Sequence, residues 1–114
     1  MVAHDCGLII NPDGLTQQIE GNVIMATSWA LKEAVHFDRS AVTSLAWDSY
    51  PIMTFPEVPE VEVTLINRPD QPAWGAGEPA SVPVMAAIGN AIFDATGARL
   101  RALPFTPDRV KAAL

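Results

Sequence analysis

Ten of the 114 residues are proline, and they cluster between Pro51 and Pro83. Proline fixes its own φ and lacks an N–H, so that segment is held by extended and turn geometry and long helices are pushed to either side of it. Upstream, Asn11-Pro12-Asp13-Gly14 is a turn cluster in which Asn11 can cap and Pro12 can take a first helical position. A helix is predicted from Leu15 or Thr16 to Val35. Leu15, Ile19, Val23, Ala26, Ala30 and Ala34 form its apolar stripe, widened by Ile24, Leu31 and Val35. Thr16, Gln17, Gln18, Glu20 and Asn22 gather at its start, so those first turns meet either water or a polar ligand. Downstream, Val82, Met85, Ile88 or Gly89, Ile92 and Ala95 or Thr96 repeat with helical spacing, and Thr96-Gly97 is a helix stop.

Four stretches read as strands. Met1 to Ile10 has Gly7 as a kink or bulge. Ala41 to Tyr50 alternates, with Leu45 and Trp47 directed inward. Val58 to Ile66 places Val61, Val63 and Leu65 on one face and Glu60, Glu62 and Thr64 on the other. Arg99 to Phe105 adds an edge strand ended by Pro104. Thr106 then caps a short helix over Pro107 to Ala113. Strands and helices in this order, without regular βαβ spacing, predict an α+β fold: a small mixed sheet against two main helices, in one domain over residues 1–114.

Thirteen acidic against seven basic residues give a net charge of −6, which opposes binding to nucleic acid or an anionic membrane surface. Asn22, Ser28, Lys32 and Glu33 interrupt the best candidate for a membrane span. No basic n-region opens the chain, so no cleavable secretory signal is expected. Cys6 is the only cysteine, which excludes an internal disulfide and a thiolate zinc cluster. Apolar residues make up 49% and charged ones 18%. A chain of that balance either packs efficiently or hides part of its surface against something else.

Trp74-Gly75-Ala76-Gly77-Glu78-Pro79 is the stretch richest in chemistry. Gly75 and Gly77 permit backbone angles closed to other residues and let a ligand approach the main chain closely. Glu78 has two readings: an anion placed at a helix N-terminus, or a carboxylate presented to a ligand. Gly75, Gly77 and Ala80 also satisfy the loose dinucleotide fingerprint G-x-G-x-x-[GA]. That motif should follow a strand at once; here Pro69 and Pro72 intervene, and nicotinamide-dinucleotide binding is set aside. His4, Asp5 and Cys6 resemble a nucleophilic triad in composition, but on a strand His4 and Cys6 share one side while Asp5 faces away. Cys6 therefore reads as a small buried apolar residue. His36 reads as a cap closing the long helix or as a surface residue, since a catalytic metal usually needs three protein groups.

Three segments taken together resemble one family. Asp5-Cys6-Gly7 with Asn11-Pro12, then Gln18-Ile19-Glu20-Gly21, then Gly75-Ala76-Gly77-Glu78-Pro79 are similar, in order and spacing, to the C-terminal end of the large subunit of molybdenum hydroxylases. This is the xanthine dehydrogenase and aldehyde oxidase superfamily, and the isoquinoline 1-oxidoreductase and nicotinate dehydrogenase type looks nearest. The similarity spans nearly the whole chain, including Pro56 to Ile66 and the Asn90-Ala91-Ile92-Phe93 helix. Met25 and Ala26 depart from it, standing where many relatives carry a second glutamine and a glycine.

The resemblance implies a role for each matching residue. Glu78 would be the general base that takes a proton from a metal-bound hydroxyl as its oxygen attacks an electrophilic carbon. A carboxylate in a partly dry pocket is the stronger base for that purpose. Gln18, with the close approach that Gly75 and Gly77 allow, would contact molybdopterin cytosine dinucleotide; no side chain of this segment is implied as a metal ligand. The expected partners are the remainder of the large subunit, which supplies the other glycine-rich loops and most of the substrate pocket, and an iron–sulfur subunit. The chain is thus expected to be a separately encoded, truncated or excised piece, inactive and without cofactor when alone. Within the whole enzyme, N-heteroaromatic compounds would be hydroxylated or aldehydes oxidised, in a bacterial cytoplasm or periplasm. The alternative is a non-catalytic module that keeps the fold and covers its apolar surface by forming a homo-oligomer.

Overall fold

Asn11 starts the longest element. Its backbone is extended, and its side-chain oxygen accepts from Gly14 N at 3.0 Å, while Pro12 fills the position where an N–H would have no partner. In the computed structural model, which describes all 114 residues, helix α1 runs Pro12–Leu31. It stops four residues short of Val35 because the amides of Lys32 and Glu33 both converge on Ser28 O, at 2.9 and 3.2 Å. His36 consequently does not close the helix; it lies beyond it, donating its N–H to Ser44 Oγ.

Strand β1, Val2–Asp5, pairs in parallel with β2, Val63–Ile66, in the register Val2 to Val63 and His4 to Leu65. Parallel neighbours need a crossover of a dozen or more residues; α1 and the proline-rich segment after it supply one. Val61, Val63 and Leu65 are half-buried while Glu60, Glu62 and Thr64 are exposed, the alternation expected of a strand with one covered face. The α+β arrangement of a small sheet against two main helices is therefore observed. Only two strands build that sheet, and their one pairing is parallel.

The other two strand candidates are not strands. Between Ala41 and Tyr50 the only ladder contact is an isolated bridge from Phe37 to Val42, and the amides of Ser49 and Tyr50 turn back onto Ala46 O. Leu45 and Trp47 are 81% and 75% exposed, so they point outward. Alternation in sequence marks two faces but provides no neighbouring strand to bond with. Arg99 to Phe105 likewise joins no sheet: Phe105 N donates to Ala30 O of α1 at 2.6 Å.

Helix α2, Val84–Thr96, begins after a 3₁₀ turn at Pro79–Ser81 and ends at Gly97, which adopts φ +74° as a left-handed cap. Val84 is buried and Met85, Ile88, Gly89 and Ile92 are half-buried, whereas Val82 lies outside the helix and is exposed. Phe105 joins the two helices, bonded to Ala30 and packed on Gly89, where a Cβ would stand 3.3 Å from its ring. Helix α3, Pro107–Ala112, has Thr106 as its cap. The core of Cys6, Leu15, Ile19 and Ala80 sits between α1, the sheet and the 3₁₀ turn, flanked by Val2, Val63 and Leu65. Only 14 residues are buried, so much of this apolar chain's surface stays uncovered. No helix is long and apolar enough to cross a membrane.

Candidate functional site

The glycine loop is fastened at several points. Gly7 has φ +76°, and a Cβ there would come within 2.1 Å of Pro72 O, so glycine's freedom is required at this crossing. Arg68 N donates to Gly7 O at 3.0 Å and Trp74 N to Cys6 O at 2.9 Å, which ties the approach to the loop onto the end of β1. Beyond it, Gly77 O accepts from Asn22 Nδ2 at 2.7 Å. Glu78 O accepts from both Ser81 N and Ser81 Oγ, at 3.0 and 2.8 Å. Ala80 then plugs into the core.

Glu78 is exposed and stands at the N-cap position of the 3₁₀ turn Pro79–Ser81, but its side chain makes no capping hydrogen bond there. Helix α2 starts at Val84, beyond the turn that follows Glu78, and a helix dipole acts within its first turn. The dipole of α2 therefore does not reach Glu78, and the structural reading keeps only its place at the start of the 3₁₀ turn. Gly75 and Gly77 do not use positive φ; only Gly7 and Gly97 do. What distinguishes Gly75 and Gly77 is empty space, for beyond the chain neighbours no atom lies within 4 Å of a Cβ built on either. Of the two properties expected from their sequence, unusual backbone angles and room for close approach, the second is present.

A groove of about 230 Å³ runs between the start of α1 and the loop. Asn11, Gly14 and Gln18 line one wall, Trp74, Ala76 and Gly77 the other. The structure thus brings Gln18 and Gly77 together across 59 residues of sequence. Gly75 and Glu78 are not in the lining; they lie on the same loop, exposed. Gln18 is also exposed, and of Thr16, Gln17, Gln18, Glu20 and Asn22 it alone lines this groove, whose other lining residues are mostly apolar.

The His4-Asp5-Cys6 sequence makes no triad. His4 and Cys6 are buried, whereas Asp5 faces out, accepts from Gly7 N at 3.0 Å and lies 3.4 Å from Arg68. The Gly7 N–H above all, and Arg68 after it, hold the Asp5 carboxyl below its usual range. No three His, Cys, Asp or Glu side chains gather where they could hold a metal ion.

Asn22 is the residue that sequence reasoning misplaces. Its polarity groups it with the start of the helix, yet it is 4% exposed. Its amide donates to Gln18 O at 2.6 Å as well as to Gly77 O, and its Oδ1 has no partner. The available signal is positional: Asn22 lies three residues after Ile19 and four before Ala26, on the apolar stripe itself. A buried acceptor without a partner costs about 1–3 kcal/mol, which an apolar residue at that place would avoid.

Residues 1–59 match the family model described as a molybdopterin cofactor-binding domain. Over all of its 114 residues the chain is 54% identical to a nicotinate dehydrogenase subunit of Pseudomonas putida, covering 10% of that protein. It is 39% identical to the xanthine dehydrogenase molybdenum-binding subunit of Escherichia coli, over 94% of this chain and 15% of that one. The fold superposes on quinoline 2-oxidoreductase from Pseudomonas putida 86 with a TM-score of 0.86 and 27% identity, over 97% of this chain and 15% of that chain. The chain therefore spans only about a tenth to a seventh of the length of the proteins it matches.

Proposed function

Because the chain belongs to the molybdopterin cofactor-binding domain family, we propose that it acts as the part of a molybdenum hydroxylase large subunit that presents Glu78 as general base and Gln18 as a cofactor contact. The observation that carries this reading is the loop geometry: an exposed carboxylate that makes no capping hydrogen bond, on a loop with open space at both glycines, beside a groove walled by Gln18.

The residues present fit part of molybdopterin cytosine dinucleotide. An amide such as Gln18 can both donate to and accept from a pterin or phosphate, and bare peptide at Gly75 and Gly77 lets a flat group lie against the main chain. The groove is below the roughly 300–1,000 Å³ of ordinary small-molecule sites. Cofactor and substrate are therefore enclosed jointly with the remainder of the large subunit. The bound group supplies the two-electron acceptor and the activated oxygen. Hydroxylating an electron-poor carbon with oxygen from water releases two protons and two electrons. Glu78 takes one proton on its carboxylate, and the electrons leave through an iron–sulfur subunit. N-heteroaromatic compounds and aldehydes are the substrate classes that this chemistry fits, and the isolated chain is inactive.

The test is the assembled enzyme carrying Glu78→Gln. Turnover is expected to fall by about three or more powers of ten, with molybdenum content nearly unchanged. Equal loss of metal and activity would make Glu78 structural. Stoichiometric molybdenum in the isolated chain would overturn the shared enclosure. A second reading, a non-catalytic self-associating module, draws on the exposed Leu45, Trp47 and Phe55; sedimentation of the metal-free chain as a stable oligomer without activity in any assembly would favour it.

A further inference from the structure

We propose that Asn22 is a positioning residue for Glu78, holding the glycine loop against α1 through its side-chain amide. The proposal rests on the reading of Glu78 as the base; the anchoring itself does not.

The amide nitrogen of Asn22 has two hydrogens and faces two carbonyl oxygens, Gln18 O at 2.6 Å and Gly77 O at 2.7 Å. Two acceptors can only be met by the NH₂ end, so the orientation of the side chain is fixed by chemistry. Its Oδ1 is left buried and without a partner. A residue that breaks the local rule for a helix's apolar stripe, at a cost in stability, marks a place where something other than stability is served. Here the amide reaches 55 residues along the chain to the loop that carries Glu78.

Gly77 O belongs to the peptide whose nitrogen is that of Glu78. Turning that peptide moves the Glu78 α-carbon and redirects its carboxylate. Side-chain packing does not hold this point, since beyond the chain neighbours no atom lies within 4 Å of a Cβ on Gly75 or Gly77. Ser81 holds the far side of Glu78 through its carbonyl; Asn22 holds the near side. The same NH₂ also bonds the backbone of Gln18, so the base and the cofactor contact are referred to one anchor on α1.

Two variants test this. Asn22→Leu removes both donors and the orphaned oxygen together. Asn22→Ser keeps a hydroxyl close enough for Gln18 O, one helical turn back, but too short to reach Gly77. In the 114-residue chain both variants are expected to raise amide exchange across residues 74–82 by about tenfold. Asn22→Leu should keep or raise the thermal midpoint, because Gly77 is exposed and its carbonyl passes to water. In the assembled enzyme kcat should fall about 10- to 100-fold, as a misplacement near 1 Å does, with KM and molybdenum content unchanged. Unchanged exchange in whichever variant folds would overturn the anchoring. A lowered thermal midpoint with unaltered kcat per molybdenum would reduce Asn22 to a structural residue. If Glu78→Gln retained turnover, the functional reading would fall while the exchange result stood.

Discussion

The α-carbon of Gly7 lies against the carbonyl of Pro72, leaving no room for a side chain: a Cβ would stand 2.1 Å from the oxygen. Because the obstacle is backbone, it cannot swing aside, and the positive φ adds strain for any L-residue. Gly7→Ala is expected to destabilise the chain by at least about 2 kcal/mol. Its thermal midpoint should fall by roughly 10 °C. Thermal denaturation checks this, and a fall of less than about 2 °C would mean that the 68–74 crossing shifts freely.

Gly75 and Gly77 should behave in the opposite way. Neither uses positive φ and neither meets an atom where a Cβ would go. Gly75→Ala or Gly77→Ala should therefore leave stability unchanged or raise it by about 0.4–1 kcal/mol, through the lower entropy of the unfolded chain. If that open space receives the cofactor, as proposed, the added methyl group fills it and cofactor content in the assembled enzyme should drop. Full cofactor retention in both variants would remove the glycines from the site.

These glycines show what sequence can and cannot disclose. Caps are local, so Asn11 with Pro12, Gly97, and Thr106 with Pro107 are all legible within four residues of one another or of their helix end. The covered face of β2 is legible too, because Val63 and Leu65, with Val61 just ahead of the strand, alternate with exposed residues. The pairing of β1 with β2 is not, since nothing near Val2 names Val63 as its neighbour. Leu45 and Trp47 mislead for the same reason in reverse: they alternate, and no strand comes to meet them. At the site, the loop and Gln18 are recognisable as motifs, and the groove between them requires the fold. Asn22 can be seen as polar on an apolar stripe, but its partner Gly77 is distant in sequence.

The excursion between Glu33 and Val58 hangs on a small polar cluster at the end of α1. Buried Ser28 donates to Glu33 Oε1 and accepts from Met53 N at 2.9 Å, and Tyr50 donates its hydroxyl to Glu33 Oε2 at 2.7 Å. The hydrogen bond to Glu33 first, with desolvation next, raises the Tyr50 phenol above its ordinary value. Ser28→Ala removes the centre of the cluster, one bond of it to a charged group, and should cost about 1–3 kcal/mol. Amide exchange should quicken around Met53 and leave the Ile19 turn of α1 unaffected. Equal quickening in both places would mean that the excursion and the core unfold as one unit.

Lys32 and Glu57 make the last prediction, a dependence on pH. Lys32 Nζ stands 2.5 Å from Glu57, which also accepts from Thr54 N at 2.8 Å and Thr54 Oγ1 at 2.7 Å. Lys32 chiefly, and Thr54 after it, hold the Glu57 carboxyl at about 2, against an ordinary value of 4.5. A carboxyl lowered by folding contributes stability that is complete above its unfolded value and is lost as pH falls towards its folded one. Glu57→Gln should therefore melt below the parent chain at neutral pH, by a gap that is constant above about pH 5.5, shrinks from pH 4.5 downward and closes near pH 2. Because the pair lies at the surface, about 1 M salt should narrow the gap at neutral pH. Thermal midpoints of the two chains across this range decide it: a gap that persists undiminished at pH 2 would show that Glu57 acts through packing and not through its charge.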